Sequence, residues 1–344
     1  MFNISLADFS HKKELIKLWQ EAFGDEEKFI SSFLDAYMIP EYNVPVIIEG
    51  GEIASALYLI EFTLYSNMNV IGTCVYLFAA ATKKEYRNRG YMSRLVSHSA
   101  GLCKNRGLKA IFLFPQGQDK KLFDFYSKFG FKTIYMAKRI RQSPAFGPPF
   151  EKGADVGNAP LGVPRPSEFR LAEKEITDVE IFDGLYDSYA EFTAKQELAP
   201  LKDRLFYFKC ASSYLEDPDA HFAIFEKINN IHGKIAENTH NVEKFCYVFY
   251  KKYKNIYYID DIILSEYNNI KENNQQKFHE TADILADFIL NSGENANLEM
   301  NVLPSPLADA QNVPLAMLLP LSDDVKNIAD NLKSPVYINM FMNI

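Results

Sequence analysis

Five cations crowd one glycine in the stretch "KKEYRNRGYMSRL", residues 83–95: Lys83, Lys84, Arg87, Arg89 and Arg94 surround Gly90. The chain around them is acidic, with a formal net charge of −8. Cations are disfavoured where a helix begins, because the backbone there already presents partial positive charge. The stretch follows the apolar run "VYLFAAAT" and precedes apolar residues at helical spacing, so it reads as strand, short loop and helix. A strand that feeds a helix N-terminus through a glycine-containing loop aims several free N–H groups and the helix dipole at one spot, which makes an anion site. Gly90 lets an anion such as pyrophosphate approach the main chain, and Lys83, Lys84, Arg87 and Arg89 add charge for more peripheral phosphates. A solvated charge run is the other reading of the same residues. The phosphate motifs GxxxxGK[ST] and GxGxxG are both absent from the sequence.

Other acid–base candidates are sparse. Glu61 stands in "LYLIEFTLY" between apolar residues. Turned inward it would be a carboxylate with a raised pKa; by simple alternation it would face solvent. Asp260 and Asp261, in "YYIDDIIL", either cap a strand or line a groove. His11, His98, His221, His232, His240 and His279 show no HxH or HxxxH spacing, and Cys74, Cys103, Cys210 and Cys246 form no CxxC pair. No metal site is expected, and free thiols in a reducing cytoplasm are the expectation.

The elements that must position these residues alternate. "HKKELIKLWQEAF" and "EEKFISSFLDAYM" carry helical rhythms. "NVPVIIEGGEIASALYLIEFTLY" reads as two strands turning at Gly50-Gly51, and "NVIGTCVYLFAAAT" as a central strand covered on both faces. The helix after Gly90 ends at Lys104, Arg106 and Gly107. "KAIFLFP", "DKKLFDFYSKFG" and "FKTIYMAKRI" then read as strand, helix and strand. The expected fold class is α/β (α+β), with a first domain over 1–142. A connector over 143–167, rich in proline and glycine, separates it from a second domain over 168–344. The second stretch repeats the order of two helices, a meander, a helix and a strand, then adds strand, helix and strand. No signal peptide or membrane-spanning run is read from the 344 residues, and the acidic balance argues against general nucleic-acid binding.

"ATKKEYRNRGYMSRL" resembles the acetyl-CoA signature [RQ]-x-x-G-x-[GA] of the GNAT superfamily of N-acyltransferases, with Arg87, Gly90 and Met92 in the three signature places. One strand later, "LFDFYSKFGF" is similar to the family's "hhxFYxKhGF" segment. The two motifs and the element order cover roughly residues 1–140. The pairing with a second, degenerate GNAT-like unit resembles the tandem arrangement of the Eis (enhanced intracellular survival) type, without its third, sterol-carrier-like domain. Met92 departs from the small residue of the motif, and Lys84 from its common proline.

The resemblance implies a mostly antiparallel mixed sheet flanked by helices and acetyl-CoA as co-substrate. Asn88, Arg89, Gly90, Tyr91, Met92 and Ser93 would wrap the pyrophosphate, with Arg87 and Arg89 flanking it. The pantetheine arm would lie along Ala80, Ala81 and Thr82, beside a neighbouring strand splayed away by a β-bulge. Tyr126 matches the family's general acid. By the same resemblance the terminal carboxylate, here Ile344, contributes to the site. The implied function is cytoplasmic acetyl transfer onto a primary amine of a small-molecule or peptide acceptor, with no nucleic acid, membrane or metal as partner and a homo-oligomer left open. The alternatives are a non-catalytic CoA-binding sensor or interaction module, and a tandem-GNAT transferase for a larger peptide-like acceptor.

Overall fold

The computed structural model describes residues 2–116, 119–142, 169–228, 242–254, 256–264, 285, 297–302 and 311–332. The chain divides into two compact units. The first comprises the described parts of Met1–Tyr135, Glu197–Leu201 and Leu315–Val336, and the second the rest. This division departs from the linear one expected from sequence. Two late segments join the first unit through strand pairing over a long sequence separation, which local periodicity does not encode. The connector over 143–167, the helix over 277–291 apart from Leu285, and the closing strand of the chain lie outside the described residues.

In the first unit, β1 (Phe2–Leu6) precedes the helices α1 (Lys12–Phe23) and α2 (Glu27–Tyr37). The meander β2 (Pro45–Glu49), β3 (Glu52–Ser66) and β4 (Asn69–Thr82) follows, then α3 (Tyr91–Asn105), β5 (Ala110–Leu113) and α4 (Lys120–Ser127). β6 (Lys132–Gln142) leads into the second unit. The strand β1, missed in sequence because "FNISL" is too short for a clear alternation, pairs antiparallel with β2.

Side chains of the central strands alternate between two helical layers. Leu57, Leu59, Val75, Leu77, Ile111 and Leu113 meet Leu95, Val96, Phe123 and Tyr126 of α3 and α4 in one apolar core. On the other face Trp19 of α1 packs its ring 4.9 Å from Tyr58 and 5.3 Å from Phe78. Burying such rings removes large apolar areas from water, each worth roughly 1.5–3 kcal/mol or more.

Cys74, Val75, Tyr76 and Leu77 of β4 are buried, as the apolar run predicts, but Phe78, Ala79 and Ala80 are half-buried. The reason is the sheet's geometry. β4 and β5 run parallel and pair only at Cys74↔Ala110, Val75↔Ile111 and Tyr76↔Phe112. Just beyond, the register with β3 slips: Tyr58 faces Phe78 but Ala56 faces Ala81, so β4 carries an extra residue there. Ala79 takes a left-handed φ of 44° in this bulge. The last turn of β4 therefore leaves β5 behind, with its edge open.

Two later segments complete the unit. β8 (Ala199–Leu201) pairs antiparallel with the end of β3. β13 (Gln311–Pro320) pairs antiparallel with β5, Met317 opposite Leu113, and leads into α7 (Asp323–Asp330).

The second unit runs β7 (Phe169–Glu173), α5 (Val179–Ala194), α6 (Arg204–Tyr214), β9 (Ala220–Ile228), β10 (Val242–Tyr253), β11 (Ile256–Leu264) and β12 (Asn297–Val302). Its order of strand, two helices, three antiparallel strands and a parallel fourth repeats that of the first unit. β11 and β12 pair in parallel only from Ile256↔Asn297 to Ile259↔Met300. β11 then bulges at Asp260, where Phe249 faces Asp261 and Tyr250 faces Ile259. Mixed α/β architecture with mostly antiparallel sheets flanked by helices is thus the fold of both units.

Candidate functional site

The N-terminus of α3 meets the open edge of β4 at a cleft of about 450 Å³. Ala80, Ala81, Thr82, Arg87, Asn88, Gly90, Tyr91, Met92 and Ser93 line it, all of them singled out in the sequence. Arg89 is the one member of that set outside the lining. The structure adds Ala22 and Phe23 from the end of α1, Tyr86, and Phe125 of α4. Phe125 was within reach of sequence, since it neighbours Tyr126 in the second motif; Ala22 and Phe23 carry no local signal, because only the tertiary fold brings α1 there.

The loop is shaped for an anion. Asn88 has φ 63° and Gly90 φ 75°, two left-handed residues separated by one, which turn successive N–H groups inward. Gly90 caps α3 without any side-chain hydrogen bond, and the first turn of α3 holds no acidic residue. Among the described residues no oxygen accepts from the N–H groups of Asn88 to Ser93. Left open at the positive end of a helix, such donors favour negative charge. A Cβ on Gly90 would meet no protein atom within 4 Å, so the space over it is free.

The side-chain cations behave differently from expectation. Lys83 is buried and donates to Glu52 Oε2 at 2.9 Å, so it serves the fold and not a phosphate. Desolvation works against its charge, but the Glu52 carboxylate overrides this and holds its pKa above the ordinary lysine value. Arg87 Nε donates to the Thr82 carbonyl at 3.1 Å. Arg89 pairs with Glu49 at 3.3 Å and lies over the Tyr86 ring. Arg94 lies over the Phe2 ring. Tyr91 donates to Glu49 Oε2 at 2.5 Å, which fixes the first residue of α3. Met92 packs against the core shared by α3 and α4. It also lines the cleft, and among the described residues no backbone oxygen accepts from its N–H.

Tyr126 does not line the cleft. It sits behind Phe125, 8% exposed, with its ring against Phe131. Burial pushes its hydroxyl up to about 12, and among the described residues none accepts a hydrogen bond from it. Glu61 is not brought to the site. It is exposed and accepts from Tyr42 at 2.8 Å, while Arg106, at the C-terminal end of α3, covers the Tyr42 ring. It pairs across from Val75, whereas the β4 residues that line the cleft begin at Ala80, five residues and about 17 Å further along the strand. Simple alternation, and not an inward carboxylate, governs Glu61. Asp260 and Asp261 lie in the bulge of β11, in the second unit, and Ile344 lies outside the described residues. Among the described residues no group of three or more His, Cys, Asp or Glu is placed to hold a metal ion, and no helix is long and apolar enough to cross a membrane.

A family model for an acetyltransferase (GNAT) domain matches residues 3–134, the span that carries the cleft. Residues 3–134 are a GNAT acetyltransferase domain. GNAT domains use acetyl-CoA, and the open N–H cradle with its adjoining free strand edge fits a pyrophosphate-bearing, extended molecule of that kind. Among solved structures the chain is similar to a probable N-acyltransferase of Enterococcus faecalis, with 13% identity over 93% of this chain and 73% of that one, at a TM-score of 0.64. It is similar to a GCN5-related N-acetyltransferase of Anabaena variabilis, with 13% identity over 94% and 73% and a TM-score of 0.61. The Eis protein of Mycobacterium abscessus is similar at 12% identity over 94% and 75%, with a TM-score of 0.60. These likenesses are of fold, and they extend beyond the GNAT domain into the second unit. No curated protein matches the chain.

Proposed function

We propose that the chain is an acetyl-CoA-dependent N-acetyltransferase that moves an acetyl group directly onto a primary amine. The observation that carries this reading is the row of N–H groups from Asn88 to Ser93, open beside the unpaired edge of β4. These donors would hold the pyrophosphate, and Ala80, Ala81 and Thr82 would flank the pantetheine arm as an added strand does. When bound, acetyl-CoA supplies an activated thioester. Among the described residues Arg87 is the one charged side chain lining the cleft, so the site favours an anion over a cation.

Tyr126 is the proposed proton donor. With its pKa raised to about 12 by burial, it stays protonated at neutral pH. A thiolate leaving group, with a thiol pKa of about 8.5, takes a proton as the amine gives one up. The amine enters as the neutral fraction of a group with a pKa of about 10.4. The second unit, which has no R-x-x-G-x-G-like loop, would shape the acceptor end. The reading places the protein in the cytoplasm, acting on a small-molecule or peptide amine and not on nucleic acid.

A second reading is a CoA-binding module without catalysis. It draws support from the position of Tyr126 behind Phe125 and from the lack, among the described residues, of any Asp or Glu lining the cleft. Thiol release from acetyl-CoA over a panel of amines, paired with calorimetric binding of acetyl-CoA, separates the two. Binding with turnover supports the enzyme, binding with no turnover on any amine supports the module, and absence of binding defeats both.

A further inference from the structure

The gap between β4 and β5 has two faces. The cradle of α3 and the Tyr126 side chain belong to the face covered by α3 and α4. On the opposite face, Phe78 lies two residues beyond Tyr76 and Phe114 two beyond Phe112, the last pair that joins the two strands. By alternation both rings stand on the α1 side, one on each lip of the gap. The Tyr76 ring touches both, 5.2 Å from Phe78 and 5.9 Å from Phe114, edge-on at 87° to the latter. Their neighbours Trp19, Tyr76 and Phe112 are buried, yet Phe78 and Phe114 are half-exposed. Phe23, which lines the cleft, packs on buried Trp19, and Trp19 packs on Phe78, so a chain of ring contacts runs from the cleft wall to these rings.

We infer that the acceptor is an arylalkylamine, a primary amine with an aromatic ring a short chain away. The inference rests on the acetyltransferase reading and names the substrate class of that site. An acceptor ring between Phe78 and Phe114 gains offset or edge contacts. Among the described residues that line the cleft none offers a polycation a carboxylate, and it meets Arg87 instead. An aliphatic amine leaves both rings uncovered.

The test uses the full chain, acetyl-CoA and three probes: 2-phenylethylamine, n-butylamine and spermidine. The expected kcat/KM for 2-phenylethylamine is about tenfold above that for n-butylamine, the value of one good aromatic pair. Phe114→Ala and Phe78→Leu should each raise KM for 2-phenylethylamine severalfold, leaving KM for n-butylamine and the calorimetric Kd for acetyl-CoA unchanged. The inference is overturned if the protein binds acetyl-CoA but acetylates n-butylamine or spermidine as well as 2-phenylethylamine, or acetylates none of them. The wild-type comparison decides even where a variant folds poorly. Absence of acetyl-CoA binding is a separate result, which removes the acetyltransferase reading and this inference with it.

Discussion

Arg87 Nε donates to the carbonyl of Thr82 at 3.1 Å, closing the loop between β4 and α3 onto the strand that precedes it. The signature arginine thus acts through the backbone: it pins the end of the open strand edge to the start of the N–H cradle. A charged donor to a carbonyl is worth roughly 1.5–3 kcal/mol. Arg87→Gln should therefore weaken acetyl-CoA binding by about tenfold or more. Arg89→Gln, which cuts a half-exposed pair with Glu49 and a contact over the Tyr86 ring, should change it less. Calorimetric titration of both variants checks the order; a larger loss for Arg89→Gln would contradict it.

Gly90 and Gly107 offer a matched pair. They stand at φ 75° and 76°, and a Cβ on either meets no protein atom within 4 Å. Gly90→Ala and Gly107→Ala should therefore destabilise the fold equally, by about 1–2 kcal/mol of left-handed backbone strain. Only Gly90→Ala puts a methyl group over the cradle, and it should reduce acetyl-CoA affinity well beyond the shared loss of stability. Thermal melts and binding isotherms of the two variants make the comparison.

What was legible in sequence follows from range. The strand–loop–helix of the cradle is a local signal, since apolar run, glycine and helical rhythm lie within twenty-odd residues, and ten of its residues line one cleft. The bulge at Ala79 was expected from the resemblance, but its place shows only in the register with β3. Lys83 shows the limit: its type suggested a phosphate ligand, and the partner that removes it, Glu52, is a cross-strand neighbour. Glu61 was ambiguous between two faces of one strand, and only the position of Tyr42 and Arg106 decides it. The strand and helix of the β13–α7 segment were legible locally, but their joining to β5 across some two hundred residues had no local signature.

Tyr126 separates chemistry from packing. Its hydroxyl gives no hydrogen bond to a described residue, so Tyr126→Phe removes a polar atom without orphaning a partner. Stability should shift by less than about 0.5 kcal/mol. If the hydroxyl donates the proton to the leaving thiolate, kcat should fall by about 10²-fold or more, with acetyl-CoA affinity retained. Turnover equal to wild type would leave Tyr126 as a core residue and remove the assigned acid role.

The docking of β13 and α7 should be acid-sensitive. Lys109 donates to Asp324 Oδ2 at 2.8 Å, and Lys132 pairs with Asp330 nearby on the same helix. The Lys109 hydrogen bond, followed by that of Ser322, holds the Asp324 carboxyl at about 2, and the Lys132 hydrogen bond lowers Asp330 as well. A carboxylate whose folded pKa lies below its unfolded value of about 3.9 stabilises the fold above that value. Its contribution is lost as pH falls towards the folded value. Hydrogen exchange in Met317–Asp330 should therefore quicken between about pH 4 and pH 2, ahead of the β3–β4 core. Because Asp324 is half-exposed, added salt should shrink the effect. Asp324→Asn should flatten this pH dependence while preserving the Ser322 contact; an unchanged profile in that variant would assign the acid response to other groups.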